Sequence, residues 1–209
     1  FYLRKAGNQV TVYDSKEEAG GMLMYAIPPY RLPKDIVRKY IKALENMGIE
    51  FKLSTKIGED IEPEELEKQY DSVCYATGAW KRPVVGIAGE ELTEFGLDFL
   101  VQVNKWMEGK VGSEVLVTGG GNVAMDAVRT ALRSGAKQPF IIYRRSEAEM
   151  PASAEEIAEC REEGIEVMTL VNPVRAVDTD GRVTAIECIR MQLGEPDASG
   201  RRRPEPIAG

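Results

Sequence analysis

The fold is decided by one continuous stretch of the sequence, Glu114-Val115-Leu116-Val117-Thr118-Gly119-Gly120-Gly121-Asn122-Val123-Ala124. Its first five residues predict a β-strand, the three glycines a tight turn, and residues 122–133 a helix. The turn fits the pattern G-x-G-x-x-A in the strand–turn–helix setting that gives this pattern weight. Gly119 permits the turn, Gly121 lets a diphosphate approach the backbone, and Ala124 lets helix and strand pack closely. The stretch therefore predicts dinucleotide binding at the helix start; a glycine turn with packing duties alone is the alternative.

The next predicted strand, Phe140–Tyr143, ends in two arginines. Units that bind NAD usually carry Asp or Glu at this strand end to hold the ribose 2′-hydroxyl. Arg144 and Arg145 would instead grip a 2′-phosphate through charge-assisted hydrogen bonds. The pair favours NADP(H) over NAD(H), and the alternative is a solvated basic pair on a surface turn.

An earlier run of the same kind ends in an acid, at Asp14. This residue suits a ribose hydroxyl of an adenine dinucleotide such as FAD, although an Asp that ends a strand is often only a turn former. The glycine turn that should precede it would lie upstream of Phe1. Residues 1–7 also resemble the last turns of a helix, and residues 200–209 stop without a clear element, so both ends of the sequence look cut.

The remaining pattern predicts strands that alternate with helices and hence a parallel sheet. In the first half it gives strands at 9–14, 50–53 and 72–76, and helices at 36–47, 63–70 and 98–107. Later it gives a helix at 154–163 and a strand at 165–170. Two further runs, 174–177 and 183–189, flank Asp180-Gly181 and predict a β-hairpin, whereas 200–209 shows no clear element.

Composition excludes several classes of protein. The 209 residues are 43% hydrophobic and carry a formal net charge of −7, which argues against a basic nucleic-acid binder. No run approaches the roughly 18 apolar residues of a membrane span. The absence of His excludes a Ser-His-Asp or Cys-His apparatus and any imidazole metal site within this chain. Cys74, Cys160 and Cys188 form no CxxC pair, so they predict small buried hydrophobes in a reducing, cytoplasmic compartment.

Several motifs in this order carry a family resemblance. They are Gly20-Gly21-Met22-Leu23-Met24-Tyr25-Ala26-Ile27-Pro28, Arg31-Leu32-Pro33, Ala76-Thr77-Gly78-Ala79, residues 119–126, Tyr143-Arg144-Arg145 and Met150-Pro151-Ala152. Together they resemble the small (beta) subunit of NADPH-dependent glutamate synthase. The same pattern is similar to the FAD/NADPH portion of dihydropyrimidine dehydrogenase and to the flavin subunit of NADH-dependent ferredoxin:NADP oxidoreductase.

The resemblance implies an α/β fold with tandem Rossmann-like FAD- and NAD(P)-binding domains. It would have three layers, a small antiparallel β-meander and a truncated FAD domain. Residues 1–83 would form the partial FAD-binding domain and residues 97–207 the NADPH-binding domain.

The resemblance also assigns cofactor-binding residues. Toward FAD these are Asp14 at the adenosine ribose, Gly20, Gly21 and Met22 at the flavin side, Arg31 near the isoalloxazine, and Thr77 and Gly78 at a strand turn. Toward NADPH these are Gly119, Gly121, Asn122, Val123 and Ala124 at the diphosphate, and Arg144 and Arg145 at the 2′-phosphate. Gly20-Gly21 as a plain turn and Arg31 as a surface charge remain alternatives. Val123 stands where relatives often carry Thr, so one hydroxyl contact is lost.

The implied activity is hydride transfer from NADPH to FAD, with onward electron passage through iron–sulfur centres in parts outside this sequence. It requires no catalytic side chain and no metal ligand here, and the cofactors carry the chemistry. The implied partners are NADPH and a redox subunit, with neither nucleic acid nor membrane. The alternatives are a non-catalytic assembly piece of a redox complex and the flavin subunit of a ferredoxin:NADP oxidoreductase. A dehydrogenase acting directly on a small substrate is disfavoured because no Tyr-x-x-x-Lys lies beside the glycine turn.

Overall fold

The computed structural model describes residues 1–106 and 111–207 of the chain. They form two compact units, Phe1–Trp80 and Lys81–Gly209, which we call unit 1 and unit 2. Both combine helices with sheet, so the predicted α/β class is confirmed. Among the described residues, no helix is long and apolar enough to cross a membrane.

Unit 1 is a short βαβ arrangement. Its elements are α1 (Tyr2–Lys5), β1 (Val10–Tyr13), α2 (Met22–Tyr25), α3 (Lys34–Asn46), β2 (Ile49–Lys52) and α4 (Pro63–Gln69). The strands β1 and β2 pair in parallel, with Val10 opposite Ile49. The helix α3 begins after Pro33 and ends before Gly48, whose φ of +85° is the left-handed conformation that glycine allows. These elements confirm the predicted strand–helix–strand order.

The predicted strand at 72–76 is wrong. The described residues 72–80 have no regular structure and no backbone hydrogen bonds, and Tyr75 is 58% exposed. The parallel sheet of unit 1 consists of β1 and β2, and within the described residues neither strand pairs with residues 72–76.

Unit 2 contains a complete βαβαβ array followed by an antiparallel sheet. Its elements are a 3-10 turn (90–92), α5 (Gly96–Trp106), β3 (Glu114–Thr118), α6 (Asn122–Arg133), β4 (Gln138–Tyr143), a 3-10 turn (147–149), α7 (Ala154–Glu162), β5 (Glu166–Thr169), β6 (Val171–Thr179), β7 (Arg182–Pro196) and β8 (Arg202–Pro206). The parallel sheet has the order β3-β4-β5 and the antiparallel sheet the order β6-β7-β8. The predicted helix end at Met107 lies outside the described residues.

The core of unit 2 lies between the parallel sheet and its helices. Val128 on α6, Ile141 on β4 and Cys160 on α7 are all 0% exposed. The thiol of Cys160 contacts Met125 Sδ at 3.6 Å, and burial raises its pKa to about 11. The prediction of buried cysteines therefore holds for Cys160 and is wrong for Cys74 and Cys188, which are exposed because each lies outside this core.

The antiparallel sheet confirms one prediction and adds a strand. The β6–β7 hairpin turns at Asp180 and Gly181, whose φ values of +54° and +75° explain the Asp-Gly dipeptide. The strand β8 was not predicted, because its sequence is rich in Arg and Pro. It pairs with the long strand β7 as an edge strand, where Pro is tolerated.

Candidate dinucleotide-binding site

The glycine turn extends the ladder between β3 and β4 by one residue. The Gly119 amide donates to the Ile142 carbonyl at 3.1 Å, and Gly119 has a φ of +148°, where an L side chain is strained. A Cβ built on Gly119 would lie 3.3 Å from Ala124 Cβ. Gly119 and Ala124 thus contact each other at the point where the strand meets α6, in agreement with the packing role that the motif predicts.

Gly121 is the N-cap of α6 and faces open space. A Cβ built there meets no atom within 4 Å, and the helix has no side-chain cap and no acid in its first turn. In contrast, α7 is capped by Ser153 and has Glu155 and Glu156 in its first turn. The unfilled donors and positive end of the α6 dipole therefore fit an anion, and the space over Gly121 lets it reach the backbone. Asn122 and Val123 are exposed at this helix start, whereas Ala124 is buried.

Gly120 has a role that the sequence motif did not reveal. A Cβ on Gly120 would lie 2.7 Å from the Tyr143 ring, so only glycine leaves room for that ring. The Tyr143 hydroxyl donates to the Glu149 carbonyl at 2.9 Å, and the Ala152 amide donates to the Gly120 carbonyl at 3.0 Å. Tyr143 and Ala152 thereby fix the middle of the glycine turn from two sides. In the sequence, the signal that could have revealed this role of Gly120 is the pattern of Tyr143 followed by Met150-Pro151-Ala152.

The two arginines that follow β4 lie in different environments. Arg144 is exposed, and within the described part of the chain its side chain makes no hydrogen bond or ion pair. Arg145 is 6% exposed and pairs with Asp197, with 2.6 Å between Nη2 and Oδ2. Asp197 lies far along the chain, in the turn between β7 and β8, and no sequence signal marked it. The structure therefore leaves Arg144 as the accessible guanidinium.

In unit 1, Asp14 directly follows β1 and is half-buried. Its Oδ1 accepts a hydrogen bond from the Lys16 amide at 2.9 Å, a turn-forming contact. The described residues donate no bond to its second carboxylate oxygen, which can accept one from a ribose hydroxyl. Both interpretations of Asp14 are thus compatible with this geometry.

The glycines predicted at the flavin side behave differently from one another. Gly20 has a φ of +127°, and a Cβ there would lie 2.9 Å from Val37 Cγ1, so this glycine is needed for packing. Gly21 has a φ of +52° and faces open space, and Met22 begins α2. Arg31 is exposed and takes part in contacts within the chain.

The other predicted residues of unit 1 lie in the segment that forms no strand. Thr77 and Gly78 are exposed, and Gly78 has a φ of +76°. Nearby, Lys16 Nζ lies 5.1 Å from the centroid of the Trp80 ring and 5.7 Å from that of Tyr25. Sequence reasoning did not single out this cation–π cluster. Residues 1–80 contain no G-x-G-x-x-G or G-x-G-x-x-A pattern.

No group of three or more Cys, Asp or Glu side chains suited to a metal ion occurs within residues 1–106 and 111–207.

A parallel βαβαβ unit with a glycine turn open at Gly121 and an accessible arginine beside it defines a dinucleotide-binding protein of the Rossmann type. The chain belongs to the pyridine nucleotide-disulphide oxidoreductase family, whose sequence profile matches residues 1–197. This finding agrees with the predicted fold of two Rossmann-like domains.

Within this family, the chain is similar to subunits of NADP(H)-dependent enzymes. It is 44% identical to the beta subunit of the NADP(+)-dependent formate dehydrogenase of Moorella thermoacetica, over 100% of this chain and 30% of that protein. It is 37% identical to the glutamate synthase [NADPH] small chain of Escherichia coli, over 99% of this chain and 47% of that protein. The resemblance to glutamate synthase small subunits is thereby confirmed. The chain spans about half or less of the length of these relatives.

The solved structures show the same fold. FprA of Mycobacterium tuberculosis in complex with NADPH matches with a TM-score of 0.83 at 19% identity, covering 99% of this chain and 63% of that one.

Proposed function

We propose that the protein is an NADPH-dependent flavin oxidoreductase in which unit 2 binds NADPH and unit 1 contributes to binding FAD. When bound, these cofactors supply hydride transfer and onward electron passage. The chain's own residues bind and orient them and keep water from the reacting atoms. In domain terms, residues 97–207 form the NADPH-binding domain and residues 1–83 the front of the FAD-binding domain.

The observation that carries this proposal is the open glycine turn at the uncapped start of α6. The space over Gly121 and the acid-free first turn of this helix match the needs of a diphosphate. Gly119 and Ala124 set the close packing, and the amides of residues 122 and 123 supply donors. Arg144 beside this turn carries a positive charge that matches the dianionic 2′-phosphate and thus favours NADPH over NADH.

The support for FAD in unit 1 is narrower. The second carboxylate oxygen of Asp14 and the open space at Gly21 fit the ribose and flavin sides of the cofactor. Four further contacts with FAD are proposed from the family resemblance alone: Met22, Arg31, Thr77 and Gly78.

Relatives named as beta subunits and small chains support a partner subunit as the electron acceptor. We propose that the protein passes electrons to such a subunit through iron–sulfur centres outside this chain. None of its three cysteines forms a disulfide, which is consistent with a cytoplasmic location.

The test is a titration of the full-length protein with NADPH and with NADH, followed by fluorescence and by the visible absorbance of bound flavin. We expect NADPH to bind about 10- to 150-fold more tightly, the value of one charge-assisted hydrogen bond. Arg144→Gln removes most of this preference, whereas Arg182→Gln, at an exposed arginine in the β6–β7 hairpin, leaves it unchanged. Equal affinity for both nucleotides contradicts the NADPH assignment. A colourless protein that binds NADPH supports a non-catalytic assembly piece instead.

A further inference from the structure

Arg145 is a buried cation held by one carboxylate. Its side chain is 8% exposed, and Nη2 lies 2.6 Å from Asp197 Oδ2. Its Nε is buried and has no hydrogen-bond partner within the described residues. Because a buried charge is costly unless it is paired, Asp197 is the group that keeps this guanidinium in place.

Asp197 is itself held in place by hydrogen bonds within its own turn. Its Oδ1 accepts hydrogen bonds from the amide and the hydroxyl of Ser199, which leaves Oδ2 for Arg145. The turn is closed by the Asp197 amide donating to the Arg201 carbonyl at 2.8 Å. The hydrogen bonds from Ser199, together with the charge of Arg145, lower the pKa of Asp197 to about 2, so the carboxylate is charged at neutral pH.

Backbone hydrogen bonds also connect Arg145, through Leu170, to the antiparallel sheet. The Leu170 amide donates to the Arg145 carbonyl at 3.0 Å, and the Met191 amide donates to the Leu170 carbonyl at 2.9 Å. Leu170 has a φ of +58°, an uncommon conformation for a bulky residue. The tip of β4 is therefore held both by this strained junction and by the Asp197 carboxylate.

Arg144 directly precedes Arg145 in the bend that follows β4, and it is exposed whereas Arg145 is buried. Because the Asp197 carboxylate holds the Arg145 side chain and the Leu170 amide holds the Arg145 carbonyl, the bend that carries the exposed Arg144 is fixed from its next residue. Arg144 has no partner of its own among the described residues, and its position depends on the strand tip that carries it.

We propose that Asp197 is a positioning residue for nucleotide selectivity: it holds Arg145 out of the 2′-phosphate site and so presents Arg144 as the guanidinium that reads the phosphate. This assignment rests on the proposed binding of NADPH by unit 2. Arg145 then acts through its anchored position and not by contact with the nucleotide.

The experiment measures dissociation constants for NADPH and NADH in the full-length protein and uses their ratio. The ratio is insensitive to a loss of folded protein, because both affinities fall together. Asp197→Asn is expected to lower the NADPH preference by about 3- to 10-fold, within the range for coupled residues. The matched control is Asp178→Asn, at a carboxylate that accepts a turn amide in the other hairpin of the same sheet. This control leaves the ratio unchanged.

The decisive readout is the same substitution in an Arg144→Gln background. There, Asp197→Asn is expected to leave the ratio unchanged, because the residue it positions is gone. A general loosening of the fold would not produce this dependence. If Asp197→Asn does not fold, Ser199→Ala replaces it, since it removes one bond that fixes Asp197 and is expected to lower the ratio by a smaller factor.

Three results overturn the proposal. They are an unchanged ratio in Asp197→Asn, an equal loss in both backgrounds, and a rise in NADPH preference, which would make Arg145 a direct reader of the phosphate. Each of them leaves the NADPH assignment intact if the unaltered protein still prefers NADPH. Equal affinities in the unaltered protein overturn the proposed function itself.

Discussion

The two parallel sheets of this chain differ in completeness. In unit 2, β4 has a parallel neighbour on each side, whereas in unit 1 the sheet consists of β1 and β2 alone. Ile141, on β4, is 0% exposed, whereas Val12, on β1, is 36% exposed. The unit with the complete sheet is also the one with the glycine turn. In unit 2, the pairing of β3 with β4 is what places the glycine turn next to the end of β4.

The largest expected effect concerns backbone protection from hydrogen exchange. In the 209-residue chain, amides of residues 72–80 should exchange at least about 1,000-fold faster than those of β4, because the former make no backbone hydrogen bonds. This factor corresponds to about 4 kcal/mol of opening free energy. Hydrogen exchange read by mass spectrometry checks it, with β1 peptides as an internal reference. Strong protection of 72–80 would show that this segment is paired and would remove the contrast between the two sheets.

A second prediction separates the packing glycine from the binding glycine in unit 2. Gly120→Ala places a Cβ against the Tyr143 ring and should destabilise the protein by about 1–3 kcal/mol, the usual cost of overpacking. Gly121→Ala meets no atom and should change the free energy of unfolding by less than about 1 kcal/mol, while it weakens NADPH binding. Chemical denaturation and nucleotide titration of both variants provide the measurements. Equal destabilisation would mean that the space over Gly121 is not open.

A third prediction compares an ion pair in each unit. Arg129 and Arg133 each contact Glu163 at 2.6 Å, and they lower the pKa of this carboxyl to about 2. Glu163→Gln should therefore cost about 1–3 kcal/mol of unfolding free energy at pH 7. In unit 1, Arg38 also lowers the pKa of Glu18, but that pair is exposed, so Glu18→Gln should cost less than about 0.5 kcal/mol.

The pH dependence gives the third prediction a sign. A carboxyl whose folded pKa is depressed stabilises the protein above its unfolded pKa, near 4.5 for Glu163, and loses this contribution as pH falls toward about 2. The deficit of Glu163→Gln relative to the unaltered protein should thus shrink between pH 5 and pH 2. Denaturation curves across this range check it. A deficit that stays constant down to pH 2 contradicts the ionic origin.

The sequence predicted most elements because their signals are local. The glycine turn, the Asp180-Gly181 hairpin and the helix that ends before Gly135 each depend on residues close in the chain. The prediction of a strand at 72–76 was wrong because a strand needs a neighbouring strand to pair with, and the local sequence does not show whether one is present. The strand β8 was missed because its pairing with β7 outweighs its low β-propensity.

The candidate site was predictable to a similar degree. Gly119, Gly121 and Ala124 lie where the motif placed them, since their spacing encodes the geometry. The different environments of Arg144 and Arg145 were not predictable, because the separation arises from Asp197 in a distant turn. Gly120 likewise required knowledge of the Tyr143 ring beside it.

The double attachment at Gly120 has a practical consequence for redesign. Tyr143 and Ala152 contact the same glycine, so the intervening residues 144–151 leave and return at one point of the scaffold. Within that segment, Arg145 is also held by Asp197 and Leu170, whereas Arg144 makes no hydrogen bond or ion pair among the described residues. A library that varies Arg144 while keeping Tyr143, Arg145 and Ala152 would sample nucleotide preference without disturbing the glycine turn.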